Sequence, residues 1–362
     1  MKLDQLTSLR FFAAFGVFLC HFFQYTKGTV NPWVFEVRSF AVEGAAFVGF
    51  FYVLSGFIIS YSSDSNGKAL NVAGFLFRRF ARIYPVHLLM LLIFVFFLMG
   101  GIKYAEPVSF LLNFSLLHAW HPDMKVFWGF NAVSWSLSCE MFFYLSFLMF
   151  VHLSSRSIVC LLALLFVVIT VLQLIYTNDV EYWIFYINPA VRMIDFMVGI
   201  LIFRFYRERN LVWFKGVVAT VAELAVVLLI PASMIVAIKF DVSKNLKFDL
   251  YYLFQMSVCV AVFAYGRGAV SRLLSVRFLV YLGEASFCLY MIHLMFLGYV
   301  SGKYFTLDIN DPLSVSKHLI SMVVLVTPLS CLLYSLYERP VNKFLLRNWG
   351  RSRPAAGVAT NI

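Results

Sequence analysis

Ile158-Val-Cys-Leu-Leu-Ala-Leu-Leu-Phe-Val-Val-Ile-Thr-Val-Leu172 carries no charge and a single hydroxyl, and a second run, Leu88–Met99, is wholly apolar. Neither run has a polar face to turn to water, and neither alternates polar with apolar as the strand of a membrane barrel must. In lipid the backbone has to satisfy its own hydrogen bonds, so a continuous apolar run that is not a barrel strand is a helix. The whole chain agrees. Of its 362 residues 62% are hydrophobic and 13% charged, with a mean hydropathy of +0.85. Soluble domains carry about 25% charged residues, so this chain has too little polar surface to clothe a water-soluble fold of its size. The sequence predicts an all-α, polytopic membrane helix bundle.

Working outward at about 20 apolar residues per span, ten spans are expected: 8–25, 41–62, 83–102, 132–152, 157–176, 188–206, 212–238, 248–265, 279–300 and 318–337. The apolar stretch 107–120 is too short and reads as re-entrant or interfacial. The first run, Phe11–Phe23, lacks a small-residue cleavage site and contains His21, so it reads as a retained span and not a signal peptide. The net charge of +11 does not indicate nucleic acid, because the cations sit in alternate connections. With the N-terminus inside, 19 Lys and Arg fall in inner segments, including Lys68, Arg78, Arg79, Arg82 and the group Arg339–Arg353, against 9 in outer ones such as Lys27, Arg38 and 239–247. That bias places both termini in the cytoplasm, with membrane lipid as the surroundings. Residues 1–345 form one membrane domain, and 346–362 read as a disordered cytoplasmic tail. The six cysteines lie inside apolar spans and suggest neither a disulfide framework nor a metal site.

Polar groups inside spans are costly, and each needs a reason. Arg10 and His21 share one face of the first span, about 16 Å apart along the axis. Ser55, in Phe50-Phe51-Tyr52-Val53-Leu54-Ser55-Gly56-Phe57, belongs either to a site or to a small-residue packing contact. Arg78, Arg79 and Arg82 cluster at the mouth of the third span, as positive-inside anchors or as forked donors for phosphate. The fourth span opens with Trp135, Ser136 and then Glu140, a carboxylate that needs a partner or a proton at that depth. Arg192 and Asp195, three apart, either pair with each other or belong to a site. Tyr290 and His293 lie in the ninth span, and Glu338-Arg339-Pro340 closes the tenth.

Taken in order, these segments resemble the acyltransferase 3 family of bacterial membrane O-acyltransferases. Arg10 with His21, the Phe-Phe-x-Leu-Ser-Gly-Phe segment at 50–57, Arg82-Ile83-Tyr84-Pro85, Trp135-Ser136-Leu137-x-x-Glu140, Leu282-Gly283 through Ser286, Tyr290 and His293, and Glu338-Arg339-Pro340 span residues 3 to 343. Cys139 departs from the bulkier aliphatic residue expected there. The resemblance implies a multi-pass protein of the bacterial inner membrane with no tightly bound cofactor. It would move an acyl group, acetyl by family habit, from cytoplasmic acetyl-CoA to a hydroxyl of a glycan or lipid-linked sugar. Arg10, Arg78, Arg79 and Arg82 would then hold the CoA phosphates. His21 would be the general base or the transient acyl acceptor, with Glu140 orienting its ring and His293 as a further candidate. The alternative is a non-enzymatic permease or glycan flippase. A flippase for an anionic lipid-linked glycan would line its cavity with mid-span cations, whereas these spans are nearly free of Lys and hold Arg at their ends.

Overall fold

Four dipeptides, Asn31-Pro32, Glu106-Pro107, Asn188-Pro189 and Asp311-Pro312, each begin a helix. In each, the first side chain accepts hydrogen bonds from the first-turn backbone, and proline sits where an N–H would have no partner. The computed structural model describes residues 3–64, 70–101, 103, 105–176, 182–209, 211–301 and 307–351. The main helices are α1 Asp4–Gln24, α2 Pro32–Ala41, α3 Phe47–Ser63, α4 Val72–Ile93, α5 Pro107–Phe114, α6 Trp135–Phe150, α7 Ser155–Ile175, α8 Pro189–Glu208, α9 Val217–Lys239, α10 Leu253–Tyr265, α11 Arg277–Met295, α12 Pro312–Leu333 and α13 Arg339–Arg351. There is no strand among the described residues.

Nine helical stretches among the described residues are long and apolar enough to cross a bilayer. They match nine of the ten expected spans. The tenth, 248–265, corresponds to α10, whose 13 residues cover only about 20 Å. It approaches the length of a span only together with the π-helical turn Lys247–Tyr251 before it. The short stretch 107–120 folds as α5 followed by a 3-10 turn at His118–Trp120. The end of the chain corrects one expectation. Residues 346–351 are helical, not disordered, and the Trp349 ring stacks on Phe77 with centroids 4.1 Å apart. Residues 352–362, with Lys2, Lys68, Lys303 and Arg353, lie outside the described residues.

The opening stretch Ile158–Leu172 forms the body of α7 and turns Leu161, Leu164, Phe166, Val167, Val168 and Val171 outward. In water such a face would drive aggregation; against lipid it is at home. The most buried stretch is Trp183–Glu208, which crosses α3 at a pair of glycines. A Cβ on Gly199 would lie 2.0 Å from Val53 O, and one on Gly56 2.1 Å from Phe196 O, so each helix rests on the other's backbone. Gly199→Ala is expected to force α3 and α8 apart at a cost of about 1–3 kcal/mol, read as a lower thermal midpoint in detergent. An unchanged midpoint would mean that the helices separate freely. The same device fixes α1: Gly283 of α11 would meet Thr7 O at 2.0 Å, and Gly44 would meet Gly16 O at 2.4 Å. These contacts lay α1 and α11 side by side and set the positions of Arg10, His21 and His293.

Candidate active site

At the N-terminal end of α1, side chains from five helices, Phe287 of α11 among them, line a cavity of about 200 Å³. Arg10 comes from α1, Ser55 from α3, Arg79 and Arg82 from one face of α4, and Glu140 and Tyr144 from α6. Tyr144 is one turn beyond Glu140 and its hydroxyl donates to Glu140 Oε2. Arg79 donates from Nη2 to Ser62 Oγ at 2.7 Å and lies over the Phe75 and Tyr144 rings. Arg10 feels Arg82 as a like charge, and Glu140 and Glu338 as opposite ones. Glu338 is buried at the end of the π-helical turn Tyr334–Glu338 and accepts from Cys288 Sγ at 3.0 Å. Three guanidinium groups and one carboxylate, Glu140, line the cavity and leave it cationic.

A narrower cavity of about 50 Å³ continues into the bundle, sharing Arg10 and Glu140 with the first and adding Tyr52, Ser136, Ser286 and Tyr290. Here α6 is pinned to α11: Tyr290 Oη donates to Ser136 Oγ at 2.9 Å, and Asn131 Nδ2 donates to Met291 O at 2.8 Å. The Tyr290 and His293 rings lie 5.9 Å apart between centroids, and His293 Nε2 is 2.8 Å from His21 Nδ1.

The hydrogen bonds assign the tautomers of this histidine pair. The Leu289 carbonyl, 3.2 Å from His293 Nδ1, can only accept, so Nδ1 carries the proton. His293 Nε2 then offers a lone pair, and His21 Nδ1 donates into it. In the neutral pair His21 Nε2 has no proton and its lone pair is available as a base. His293 is fully buried while His21 is only partly so. The reachable ring is therefore the basic one.

Several expected placements change. Glu140 does not orient His21. It sits level with Arg10, about three helical turns from His21, and its partner is Tyr144; the ring nitrogen of His293 holds His21 instead. Arg78 is exposed and does not line the cavity, and Arg339 is likewise exposed beyond Glu338. Arg192 and Asp195 form a buried ion pair at 2.9 Å, with Arg192 Nη1 also donating to Phe248 O. Trp135 packs on Tyr186 with centroids 4.9 Å apart. The segment at 50–57 holds both of its readings: Gly56 packs against α8, while Ser55 lines the arginine cavity. Sequence reading passed over Tyr144, which its i,i+4 spacing from Glu140 would have flagged. It also passed over His87 and His118, both buried, with rings stacked 6.4 Å apart; His87 lies inside an expected span and met the same test as His21.

A helical bundle that gathers ionisable groups inside, with a cationic cavity at one end and a part-buried histidine pair further along α1, fits the class of multi-pass membrane proteins with polar sites within the bilayer. The chain belongs to the acyltransferase 3 family, whose acyltransferase domain matches residues 3–335. It is 30% identical to the acyltransferase MdmB of Streptomyces mycarofaciens over 396 aligned residues, covering 98% of this chain and 95% of that protein. No solved structure matches. The protein is thus a membrane acyltransferase, and the permease or flippase reading gives way to the family.

Proposed function

We propose that this protein is an O-acyltransferase of the bacterial inner membrane that moves an acyl group, acetyl in the simplest case, from cytoplasmic acyl-CoA to a hydroxyl of a cell-envelope or secreted glycan. The observation that carries the reading is the bare Nε2 of His21, whose partner ring His293 stands beside Tyr290, a residue that lines the narrow cavity continuing from the arginines. CoA brings a 3′-phosphate and a pyrophosphate, and forked guanidinium groups match their oxygens. Arg10, Arg79 and Arg82 hold these phosphates at the cytoplasmic end, and the pantetheine arm reaches through the passage toward His21. A passage of about 50 Å³ is too narrow for that arm, so the Phe51 and Phe287 side chains that line it must rotate when the donor enters.

At the thioester, His21 Nε2 takes the proton of the acceptor hydroxyl. The oxygen attacks the thioester carbonyl, the C–S bond breaks, and the imidazolium returns its proton to the departing thiolate. In the covalent variant Nε2 itself attacks the carbonyl and the C–S bond breaks to release the CoA thiolate; the acceptor oxygen then displaces the imidazole as its hydroxyl proton passes to that thiolate. In both, His293 accepts from His21 Nδ1 and holds the ring, as a carboxylate does in a triad but without its charge. The acceptor half of this reading is tested by comparing glycan NMR spectra of a parent strain and a strain deleted for this gene. Loss of one ester resonance and its shifted ring proton is expected. Identical spectra for every envelope and secreted glycan would overturn the glycan acceptor.

A further inference from the structure

Beyond the histidine pair, at the opposite end of the bundle from the arginines, lies a separate cavity of about 330 Å³. Gln24, which lines it, is one turn beyond His21 on α1, and Cys20, beside His21, donates from Sγ to the carbonyl of Val42 in the cavity wall at 3.3 Å. One wall is aromatic: Tyr182, Tyr186 and Phe248 contact one another with centroids 4.7–5.2 Å apart. The other wall is charged. Its single carboxylate, Glu43, is fully engaged, accepting from Lys247 Nζ at 2.7 Å and from Tyr252 Oη at 2.6 Å. Arg38 and Lys244 also line the cavity and have no carboxylate partner among the described residues. Arg38 Nε is buried without a hydrogen-bond partner.

We propose that this cavity is the acceptor subsite and that it selects an acceptor carrying an anionic group, a sugar carboxylate or a sugar phosphate, bound by Arg38 and Lys244. The proposal rests on the acyl-transfer reading above and adds the charge of the acceptor to it. The aromatic wall offers flat apolar faces to the C–H side of a sugar ring. A neutral sugar would use that wall but leave two cations without counter-charge. An anionic one satisfies both, and a guanidinium takes a carboxylate or phosphate through paired N–H donors. The neutralised Glu43 does not repel such a ligand. The subsite also separates the two substrates in space, with donor phosphates at one end of the bundle, acceptor anion at the other and His21 between them.

The test uses the purified full chain in phosphatidylcholine nanodiscs with coenzyme A at saturation, so that the arginine cavity is occupied. Glucuronate, glucose 1-phosphate and glucose are titrated into the parent protein, Arg38→Gln and Lys244→Gln. One or both anions are expected to bind the parent at least tenfold more tightly than glucose; which one does so tells carboxylate from phosphate. Each variant is expected to weaken anion binding by about tenfold while leaving glucose binding unchanged. Lys244 is exposed, so its replacement tests the idea even if Arg38→Gln folds poorly. Glucose binding as tightly as both anions, or anion affinity unchanged in Lys244→Gln, would overturn the proposal. Coenzyme A titrated alone into the same samples keeps the two readings apart. Its failure to bind the parent would count against the donor site, whereas anion affinities speak only to the acceptor subsite.

Discussion

Replacing His21 with Ala is expected to lower acyl transfer by about 10²–10⁴-fold, the contribution typical of a positioned general acid–base, and to leave the protein in the membrane at its normal level. The reason lies in the hydrogen bonds: Leu289 O holds the proton on His293, His293 holds the proton on His21 Nδ1, and Nε2 is the base that remains. His21 is also only partly buried, so its removal empties little of the packed core. Acyl-ester content of the product and protein level in membranes are the two measurements. Normal acylation at normal protein level would remove His21 from the chemistry. His293→Ala should lower kcat and leave the donor KM unchanged, because His293 lies within the bundle and acts through His21.

The second large effect is expected at the donor end. Arg82→Lys should raise the donor KM roughly ten- to a hundredfold, corresponding to the loss of one charge-assisted hydrogen bond of about 1.5–3 kcal/mol. Lysine keeps the charge but not the fork, so a residue that serves only to anchor topology would tolerate the change. The structure supplies the control. Arg78 lies four residues earlier on the same helix but is exposed and outside the cavity, so Arg78→Lys should leave the donor KM where it was. Kinetics measured in nanodiscs, where topology is already set, exclude an insertion defect. If the two variants behave alike, the cavity is not the phosphate site.

How much was legible in the sequence depended on whether a property is local. Ile158–Leu172 was bound to be a helix in lipid whatever surrounded it, since hydropathy and backbone satisfaction are decided within the segment. The 3.6-residue repeat put Arg10 and His21 on one face of α1, but the spacing of Arg78, Arg79 and Arg82 did not separate the exposed Arg78 from the two that line the cavity. The pairing of Arg192 with Asp195 was legible for the same reason, being three residues apart. The tail was misread at its start because a ring contact 272 residues distant in sequence, Phe77 on Trp349, orders it.

By itself, then, the sequence determined that this is a helical membrane protein, nearly how many helices are long enough to cross, and some of the polar side chains held in its interior, such as His293 and the Arg192–Asp195 pair. Beyond that pair, tertiary structure alone decided their partners. Counting residues along a span gives the height of a side chain but not the neighbour it faces. Glu140 and His21 both looked like mid-span groups free to meet, yet Glu140 stands level with Arg10 and bonds Tyr144. His21 meets His293 instead, because Gly283 lets α11 rest directly on the backbone of α1 at Thr7. That contact depends on the absence of one side chain on a helix more than 270 residues away, and no local periodicity carries such information.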